Sequence, residues 1–344
     1  MRIGIAGLNG LYWPMSIGNG LSGKPGVEFL AAATLGERGT AIKESLGLSP
    51  QEYAAKYNLR LYDLAEEMVK SEKLDTVAIV TRHTAHADWV ERLAKLGLNI
   101  YIPKTFATNQ QDANRIVKAE KEYGIRIAIG PTARYLPPMV SIKNTVESGS
   151  IGEPFSIRIC HHHGVIDVFH QNDWYRDLIE GGPELSLAWY GIDLIQYLMS
   201  DQVKSVFARY GNFTSPISPF MDCGRIVMEL GRGGIGSFDV YFCNRISYPS
   251  WQLELVGSKG VISIHRVPGD SSKTVVSLDT LDGYRILPIP VETSNWEMFW
   301  VDELLQGKSL SVSAEYARQV TLTSLAARDS ACRGEMITLP VEGN

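Results

Sequence analysis

The stretch LNIYIPKTFA (residues 98–107) decides how the fold of this chain is interpreted. Its apolar run Asn99–Ile102, ended by a proline, predicts a short buried strand. Lys104 follows on the turn, and a helix is predicted to begin near Thr108. In open α/β sheets, ligands bind beyond the carboxyl ends of the strands, so a lysine on such a turn is well placed for chemistry. The alternative is a solvated surface lysine, because lysines are mostly exposed.

Length and composition indicate a soluble globular protein of two domains. At 344 residues, the chain exceeds what one hydrophobic core usually accommodates. It is 44% hydrophobic and 21% charged, and its formal net charge of -5 provides no basic surface for nucleic acid. No apolar run reaches the ~20 residues of a membrane-spanning helix. The amino-terminal sequence MRIGIAG is itself strand-like, so no cleaved signal is expected.

The cysteines indicate a reducing compartment. Four of them lie far apart without a CxxC pair: Cys160, Cys223, Cys243 and Cys332. Such spacing is typical of reduced thiols in intracellular proteins. We therefore expect a cytoplasmic protein whose partners are neither membranes nor nucleic acids.

A degenerate dinucleotide-binding loop follows the first predicted strand, Arg2–Ala6. The fingerprint G-x-G-x-x-G combines a tight turn with close approach to a pyrophosphate. Here Gly7 is in register, while Asn9 and Tyr12 occupy the second and third glycine positions. Asparagine tolerates positive φ better than most residues, so the turn can form. A plain strand–loop unit would explain the pattern nearly as well. The predicted cofactor contacts here are Gly7, Asn9, Gly10, Leu11 and Tyr12.

The tip of the second predicted strand, Val27–Ala33, bears on which nicotinamide cofactor is used. An acidic residue at this tip binds the adenosine ribose 2′-hydroxyl, whereas a nearby arginine accommodates a 2′-phosphate. Thr34 stands at the tip and Arg38 lies just beyond it. The sequence therefore favours NADP over NAD, with both residues as predicted cofactor contacts.

A further strand, Asp75–Val80, is predicted to end at the same edge of the sheet as Lys104. It continues into TRHTAH (residues 81–86), and a helix over Ala87–Leu96 follows, with Gly97 as its C-cap. The two histidines lie three residues apart with no third ligand nearby, so capping or cofactor contact is favoured over metal binding. The predicted cofactor contacts here are Thr81, Arg82, His83 and His86, together with Lys104.

Strand–helix alternation through the first third of the chain predicts a right-handed parallel sheet. Amphipathic helices are predicted over Ser49–Tyr57 and Asp63–Ser71, with Asp63 as an N-cap. A last strand, Ile125–Gly130, closes this domain.

From residue 151 onward the pattern changes to longer alternating strands, which predict an open, mainly antiparallel sheet. A helix over Glu184–Met199 is inserted among them. On it, Ser186, Tyr190 and Asp193 fall at i, i+4 and i+7, a spacing that lines a pocket with polar groups. A half-buried interface tyrosine is the alternative for Tyr190. The predicted strands are Phe155–His162, Val203–Tyr210, Gly224–Leu230, Gly234–Phe242, Ser250–Val256 and Val261–His265.

The triplet His161-His162-His163 suggests a metal cluster, but strand geometry argues against it. Successive side chains on a strand point to opposite faces, so only His161 and His163 share one. Two ligands do not make a site, and no carboxylate follows at useful spacing. We expect no metal.

These motifs, and their order along the chain, resemble those of the Gfo/Idh/MocA family, the glucose–fructose oxidoreductase and inositol dehydrogenase group. That family typically carries E-K-P after its fifth strand, T-P-N-x-x-H after its fourth, and G-x-I-G where the second domain opens. The matching segments cover nearly the whole chain: Pro103–Thr105, Thr81–His86, Arg134–Pro137, Gly149–Gly152, Gly181–Asp193 and Val256–Gly260.

The resemblance implies a Rossmann-type domain over residues 1–130 and a substrate-binding and oligomerisation α+β domain over residues 131–313. A helix over residues 314–332 is expected to pack back on the first domain. The implied substrate-binding residues are Lys104, Arg134, His161, His163, Trp174, Tyr175, Arg176, Ser186 and Tyr190. Of these, Trp174 and Tyr175 could equally be packing residues.

Departures from the family pattern concern the reaction itself. In the family helix, an Asp and a His stand four residues apart beside the lysine; here Ser186 and Tyr190 occupy those positions. The lysine motif has lost both its Glu and its Pro. Dimeric dihydrodiol dehydrogenases and glucose–fructose oxidoreductase resemble this chain in using tyrosine in place of the histidine, so Tyr190 retains a proton-transfer role.

Reduction of a carbonyl by a nicotinamide requires a hydride and a proton for the developing alkoxide. A phenol normally titrates near ~10, and a neighbouring ammonium lowers that pKa. We therefore predict that Lys104 faces Tyr190 across a cleft. Tyr190 is the general acid/base, Lys104 is its electrostatic partner, and Asp193 orients their neighbours.

The predicted function is that of an NAD(P)-dependent oxidoreductase acting on a sugar, cyclitol or related polyhydroxylated compound. By the resemblance, it is expected to form a homodimer or homotetramer through the sheet of the second domain. The alternative is a catalytically degenerate cofactor or sugar sensor, since fold does not determine function.

Overall fold

The computed structural model describes residues 1–130, 132–163, 173–213, 221–242, 251–267, 270–291 and 295–340. The thiol of Cys243 and the side chain of Arg176, both part of the predictions above, lie outside the described set. The described residues divide into two compact units. The first comprises residues 1–130, 173–181 and 295–321, and the second comprises residues 132–163, 182–213, 221–242, 251–267, 270–291 and 322–340.

The helices and strands of the described residues are as follows. The helices are α1 (Trp13–Leu21), α2 (Gly39–Leu46), α3 (Pro50–Tyr57), α4 (Ala65–Glu72), α5 (His86–Ala94), α6 (Gln110–Tyr123), α7 (Pro137–Glu147), α8 (Gly182–Met199), α9 (Phe299–Leu305) and α10 (Ala314–Arg333). The strands are β1 (Arg2–Ala6), β2 (Glu28–Ala33), β3 (Arg60–Tyr62), β4 (Thr76–Ile79), β5 (Asn99–Pro103), β6 (Ile127–Gly130), β7 (Pro154–His162), β8 (Val203–Gly211), β9 (Cys223–Leu230), β10 (Ile235–Tyr241), β11 (Trp251–Gly257), β12 (Gly260–Val267), β13 (Asp270–Thr280), β14 (Gly283–Ile286) and β15 (Ile337–Thr338).

The first unit contains a parallel sheet, which within the described residues has six strands in the order β3-β2-β1-β4-β5-β6. The order reverses direction between β1 and β4, which makes the carboxyl ends of these two strands the crevice where doubly wound sheets bind dinucleotides. β4 and β6 are buried along their whole length, as expected for strands with helices on both faces. The predicted Rossmann-type sheet is confirmed.

Local sequence explains where several helices of this unit begin. Ser49 and Glu52 form a capping box at α3, and Asn109 caps α6 by accepting a hydrogen bond from the Asp112 N–H. The predicted N-cap at Asp63 is wrong: α4 begins at Ala65, and Asp63 instead accepts a hydrogen bond of 3.3 Å from the Thr34 hydroxyl at the tip of β2.

The second unit contains a mixed, mainly antiparallel sheet, which in the described part of the chain has nine strands in the order β14-β13-β12-β11-β7-β10-β9-β8-β15. Its parallel pair is β7–β10, and the pairs that flank it are antiparallel. Helix α8 packs on β7 and β10. Gly191 allows α8 to approach β10 closely, since a Cβ on this residue would lie 2.1 Å from the Phe238 ring. The predicted antiparallel α+β architecture is confirmed.

Two segments differ in detail from the sequence predictions. Residues 270–283 are rich in turn-forming residues, which predicts a surface hairpin, but most of them form the eleven-residue strand β13, which pairs with β12 on one side and with β14 on the other. Helix α10 divides between the units. Near its start, the Glu315 carboxylate lies 3.3 Å from the Lys121 ammonium on α6. Near its end, the Ser330 hydroxyl accepts a hydrogen bond of 3.0 Å from the Ala208 N–H on β8.

Within the described residues, the helices are too short or too polar to cross a lipid bilayer. Cys160, Cys223 and Cys332 form no disulfide among the described residues.

Candidate active site

Lys104 lies immediately after β5, where the chain is still paired with β6. Its N–H donates to the Gly130 carbonyl at 2.6 Å, so the turn is held at the carboxyl end of the sheet. The side chain is 5% exposed, which excludes the solvated-lysine alternative. Burial lowers the pKa of the Lys104 ammonium from its usual value of 10.5 to about 7. An amine with such a pKa exchanges its proton near neutrality, as a catalytic group must.

Two buried histidines follow β4, and one of them supports the turn that carries Lys104. The His86 Nδ1–H donates to the Phe106 carbonyl at 3.3 Å, two residues beyond Lys104. Burial lowers the pKa of His86 to about 4 and that of His83 to about 3. The two ring centroids are 5.8 Å apart, and His86 contributes to the lowered pKa of His83. Both imidazoles are therefore neutral near pH 7. They act as hydrogen-bonding supports and not as cationic phosphate ligands.

Trp174 and Tyr175 belong to the first unit and pack on His83. Their rings meet the imidazole edge-on, with centroid distances of 5.3 Å and 5.7 Å. Both side chains are almost completely buried. Glu180, from the same segment, accepts a hydrogen bond from the His83 Nδ1–H at its carbonyl, over 2.8 Å. Sequence reasoning did not single out Glu180.

The glycine loop after β1 is tight for a different reason from the one predicted. Gly7 and Leu11 have positive φ, of +93° and +58°. The prediction that Asn9 would adopt positive φ to make the turn is therefore wrong. A Cβ on Gly7 would lie 2.4 Å from the Val80 carbonyl, and one on Gly10 would meet the Val80 side chain at the same distance. The missing Cβ atoms thus allow the loop to cross the end of β4. Tyr12 directly precedes α1, and its ring is tilted by 39° against that of Trp13, with centroids 4.2 Å apart.

The turn after β2 places a carboxylate beside this loop. Thr34 is buried at the strand tip, whereas Arg38 is exposed. Glu37 lies between them in sequence and has a buried Oε2 with no hydrogen-bond partner among the described residues. Burial raises the pKa of Glu37, while Arg82 and a hydrogen bond from the Asn9 side chain oppose that shift. Glu37 was not predicted from the sequence, although its neighbour Arg38 was.

The second unit carries a cluster of rings around Tyr190 on α8. The His161 imidazole stacks on the Trp251 indole, with centroids 3.9 Å apart and planes within 6°. Tyr190 meets His161 edge-on at 6.1 Å and Trp251 at 6.2 Å. His163 extends the cluster, 5.3 Å from His161. Ser186 is buried one helical turn before Tyr190.

Trp251 was not predicted from sequence. It pairs with His161 because β11 lies next to β7, a neighbour ninety residues away in the chain. Residues in direct register on adjacent strands project from the same face, which brings the two rings together. His162 projects from the opposite face, where its Nε2 lies 3.2 Å from the Cys160 sulfur.

Arg134 and Asp193 form a buried ion pair within the second unit. The Arg134 Nε–H donates to Asp193 Oδ1 at 2.9 Å, and the Thr132 hydroxyl donates to the other carboxylate oxygen. The Asp193 side chain is fully buried and that of Arg134 is 7% exposed. The guanidinium also lies 4.8 Å from the Tyr197 ring. The structure thus uses Asp193 and Arg134 to hold α8 against residues 132–134.

Among the residues that the structure describes, no three His, Cys, Asp or Glu side chains are grouped closely enough to hold a metal ion. His161 and His163 do share a face, as strand periodicity predicts, but they pack against aromatic rings.

The geometry and the sequence both match known proteins. A family model for the NAD-binding Rossmann fold of an oxidoreductase family matches residues 1–130, and a GFO/IDH/MocA C-terminal domain model matches residues 139–263. An inositol 2-dehydrogenase/D-chiro-inositol 3-dehydrogenase from Shouchella clausii is 24% identical over 256 residues, which cover 73% of this chain and 71% of that protein. A myo-inositol 2-dehydrogenase from Thermotoga maritima is 24% identical over 301 residues, with 84% of each chain covered.

Among solved structures, an oxidoreductase from Agrobacterium radiobacter in complex with NAD+, L-tartaric acid and magnesium has the same fold. Its TM-score is 0.81 at 20% identity, with 98% of each chain covered. The chain belongs to the GFO/IDH/MocA oxidoreductase family. It is an NAD(P)-dependent dehydrogenase.

Proposed function

We propose that the protein transfers hydride between a nicotinamide cofactor and a sugar, cyclitol or related polyhydroxylated carbonyl or alcohol. The observation that carries the proposal is the buried Lys104 at the carboxyl end of β5, with its pKa lowered to about 7. The two relatives named above, which this chain resembles in sequence, are inositol dehydrogenases. A buried amine with a pKa near 7 is typical of a functional site rather than of a purely structural lysine.

The residues of the first unit fit a dinucleotide. Gly7 and Gly10 cross closely over Val80, which gives the tight turn from strand to helix at which folds of this kind bind a pyrophosphate. The buried Glu37 Oε2 is an acceptor suited to a ribose hydroxyl. When bound, the nicotinamide supplies or accepts the hydride.

Lys104 and Tyr190 supply the proton chemistry in this proposal. The Lys104 ammonium donates a hydrogen bond to the substrate oxygen and stabilises negative charge on it. Tyr190 is the general acid/base, which exchanges a proton with the substrate oxygen. The Arg134–Asp193 pair keeps α8, and with it Tyr190, in a fixed orientation.

The ring cluster of the second unit supports a polyhydroxylated substrate. Pockets for such ligands combine aromatic surface with a few polar groups that fix orientation. Trp251 and His161 provide the flat apolar surface, while Ser186 and Tyr190 provide hydroxyl groups. We therefore include Trp251 among the substrate-binding residues.

For the cofactor, Glu37 argues for NAD. The sequence-based preference for NADP depended on Thr34 and Arg38. A carboxylate beside the glycine loop accepts a hydrogen bond from a ribose 2′-hydroxyl and repels a 2′-phosphate. Arg38 is exposed, whereas the Glu37 carboxylate accepts a hydrogen bond from the Asn9 side chain in that loop.

Binding of NADH and NADPH tests the cofactor assignment. We expect NADH to bind more tightly, and Glu37→Gln to shift the ratio of the two dissociation constants towards NADPH by about tenfold, one charge interaction at reduced dielectric. Glu44→Gln, on the exposed side of α2, is the matched control and leaves the ratio unchanged. Tighter binding of NADPH by the wild type would restore the NADP prediction.

Turnover with a panel of inositols, sugars and their oxidised forms tests the reaction. Oxidation or reduction of at least one panel member supports the enzymatic proposal. Tight cofactor binding without turnover supports the alternative, a cofactor or sugar sensor, which the loss of the family Asp at Ser186 favours. Failure to bind either cofactor would contradict both.

We also infer a cytoplasmic homodimer or homotetramer assembled through the sheet of the second unit. The basis is the family resemblance and the composition of the chain. The molar mass in solution, measured by light scattering, tests the assembly.

A further inference from the structure

Glu180 fastens the segment Asp173–Gly181 to the turn that follows β4. One carboxylate oxygen accepts the Thr84 hydroxyl at 2.7 Å, and the other accepts the Thr84 N–H at 3.1 Å. The Glu180 carbonyl accepts the His83 Nδ1–H. The side chain is only 1% exposed, so these hydrogen bonds form away from water, where they are strongest.

Backbone hydrogen bonds run along this segment. The Asp177 N–H donates to the Trp174 carbonyl at 3.0 Å, and the Glu180 N–H donates to the Asp177 carbonyl at the same distance. The Asp177 side chain caps the last turn by accepting a hydrogen bond from the Ile179 N–H, and Gly181 ends that turn in the left-handed conformation, with φ of +92°. Glu180 thus fastens a turn that is hydrogen-bonded to the backbone of Trp174.

Trp174 is the residue of this segment that points to a ligand. It is 5% exposed, and its ring lies perpendicular to that of His83. Its indole N–H is buried and has no hydrogen-bond partner among the described residues. A buried donor without a partner costs free energy unless a ligand or a water satisfies it.

The position in the sheet identifies which ligand group lies nearby. In the order β3-β2-β1-β4-β5-β6, the half formed by β4, β5 and β6 binds the second mononucleotide of a dinucleotide. His83 and Thr84 follow β4, and Lys104 follows β5. Lys104 is also close enough to contribute to the lowered pKa of His83. The nicotinamide end of the cofactor, and not the adenosine end, belongs on this side.

We propose that Glu180 is a positioning residue for the cofactor: it holds the segment Asp173–Gly181 on the β4–α5 turn so that Trp174 forms a wall of the nicotinamide site. This inference rests on the proposed function. It reassigns Trp174 and Tyr175, which the family resemblance placed in the substrate pocket, to the cofactor half of the protein.

Calorimetric titration with two probes tests the proposal. NADH carries the nicotinamide nucleotide, whereas ADP-ribose shares only the adenosine, the pyrophosphate and a ribose. We expect Glu180→Gln and Thr84→Val each to weaken NADH binding by about two- to tenfold, the loss of one hydrogen bond, and to leave ADP-ribose binding unchanged. Thr84→Ser keeps the hydroxyl and restores NADH binding.

The double variant and a carboxylate control sharpen the test. Because one of the two hydrogen bonds joins the side chains of Glu180 and Thr84, the double variant is expected to lose less than the product of the two single effects. Glu66→Gln, which removes a carboxylate paired with Arg92 on the outside of the same unit, leaves both affinities unchanged.

Three outcomes would overturn the proposal. Equal weakening of NADH and ADP-ribose would indicate general loosening of the unit. Unchanged NADH affinity in both single variants would return the segment to the substrate side. Failure of Thr84→Ser to restore binding would remove the hydrogen bond from the explanation. If the wild type binds ADP-ribose but neither NADH nor NADPH, the proposed function itself fails.

Discussion

Lys104 and Arg134 are both buried cations that the sequence predicts as site residues, and the structure treats them in opposite ways. Arg134 is paired with Asp193 through a hydrogen bond of 2.9 Å, and the Tyr197 ring lies 4.8 Å from the guanidinium. Lys104 lies in surroundings whose burial lowers its pKa to about 7. One cation is held permanently charged, whereas the other is close to losing its proton.

This difference indicates a structural role for Arg134 and a chemical role for Lys104. Arginine remains protonated under all physiological conditions, so a buried arginine requires a carboxylate partner and is suited to fixing two elements together. A buried lysine can give up its proton, and that makes it useful to a reaction. The two positions should therefore respond differently to substitution: Lys104 through activity and Arg134 through stability.

The largest expected effect is the loss of turnover in Lys104→Met. We expect kcat to fall by about 10³- to 10⁴-fold, since both charge stabilisation and proton handling are removed. Cofactor affinity should change far less. Lys143→Met is a matched control, because Lys143 is also buried but donates to the Tyr197 carbonyl and the Ser200 hydroxyl. It should lose stability and keep turnover. Substantial activity in Lys104→Met would remove the lysine from the mechanism.

The next effect in size concerns stability. Arg134→Met leaves the Asp193 carboxylate buried without its main partner, which is expected to cost about 3–5 kcal/mol of folding free energy. Denaturant unfolding followed by circular dichroism measures this loss. Lys204→Met, which breaks the exposed pair with Glu229, should have little effect. Equal midpoints for the two variants would show that the Arg134–Asp193 pair does not hold the unit together.

Tyr190→Phe is expected to lower kcat by about 10²-fold, with KM nearly unchanged, because only the hydroxyl is removed and the ring contacts remain. Steady-state kinetics with the best substrate of the panel measures both constants. Tyr284→Phe, on the exposed strand β14, is the control and should behave as the wild type. Full turnover by Tyr190→Phe would end the assignment of the phenol as acid/base.

The smallest effect is the dependence on pH. If Lys104 must be charged for carbonyl reduction, kcat/KM should fall as pH rises through about 7, by up to about tenfold per unit, and alcohol oxidation should show the opposite slope. Lys104→Met should lose this inflection.

The titration of Lys104 should also make the free energy of unfolding depend on pH. The folded-state pKa of Lys104 lies below its unfolded value of 10.5, so the folded protein binds fewer protons between about 7 and 10.5. The free energy of unfolding should therefore rise with pH across that window. Lys104→Met should be more stable than the wild type below pH 7, and the difference should shrink above it. A gap that does not vary with pH would mean that Lys104 is not buried as a charged group.

Much of the fold could be predicted because local pattern and spacing carry it. The buried strands β1, β4 and β5 and the helix α8 are long or strongly apolar, and the strand–helix alternation implies the parallel sheet. Elements with weak local signals were missed: β3 has three residues, and α2 begins at a glycine without a side-chain cap. At Asp63 the local capping signal was overridden, because the Thr34 hydroxyl uses that carboxylate.

The candidate site divides in the same way. The position of Lys104 follows from a single strand and its turn, so the sequence was sufficient to find it. The contacts of Trp251 with His161, and of Glu180 with Thr84, join residues about ninety positions apart in the chain. Such pairs depend on which strands become neighbours and on where a returning segment packs, which periodicity does not encode.

By itself, the sequence determined the two-part architecture, the family and the placement of an amine at the end of a buried strand, because these depend on periodic burial and on residues close in the chain. Only the tertiary structure decided that Lys104 titrates near pH 7 while Arg134 is paired with Asp193, that both histidines after β4 are uncharged, and that Glu37 reaches the glycine loop. The physical reason is that a pKa and a hydrogen bond depend on which groups share a buried space, and that is established only once distant parts of the chain have packed together.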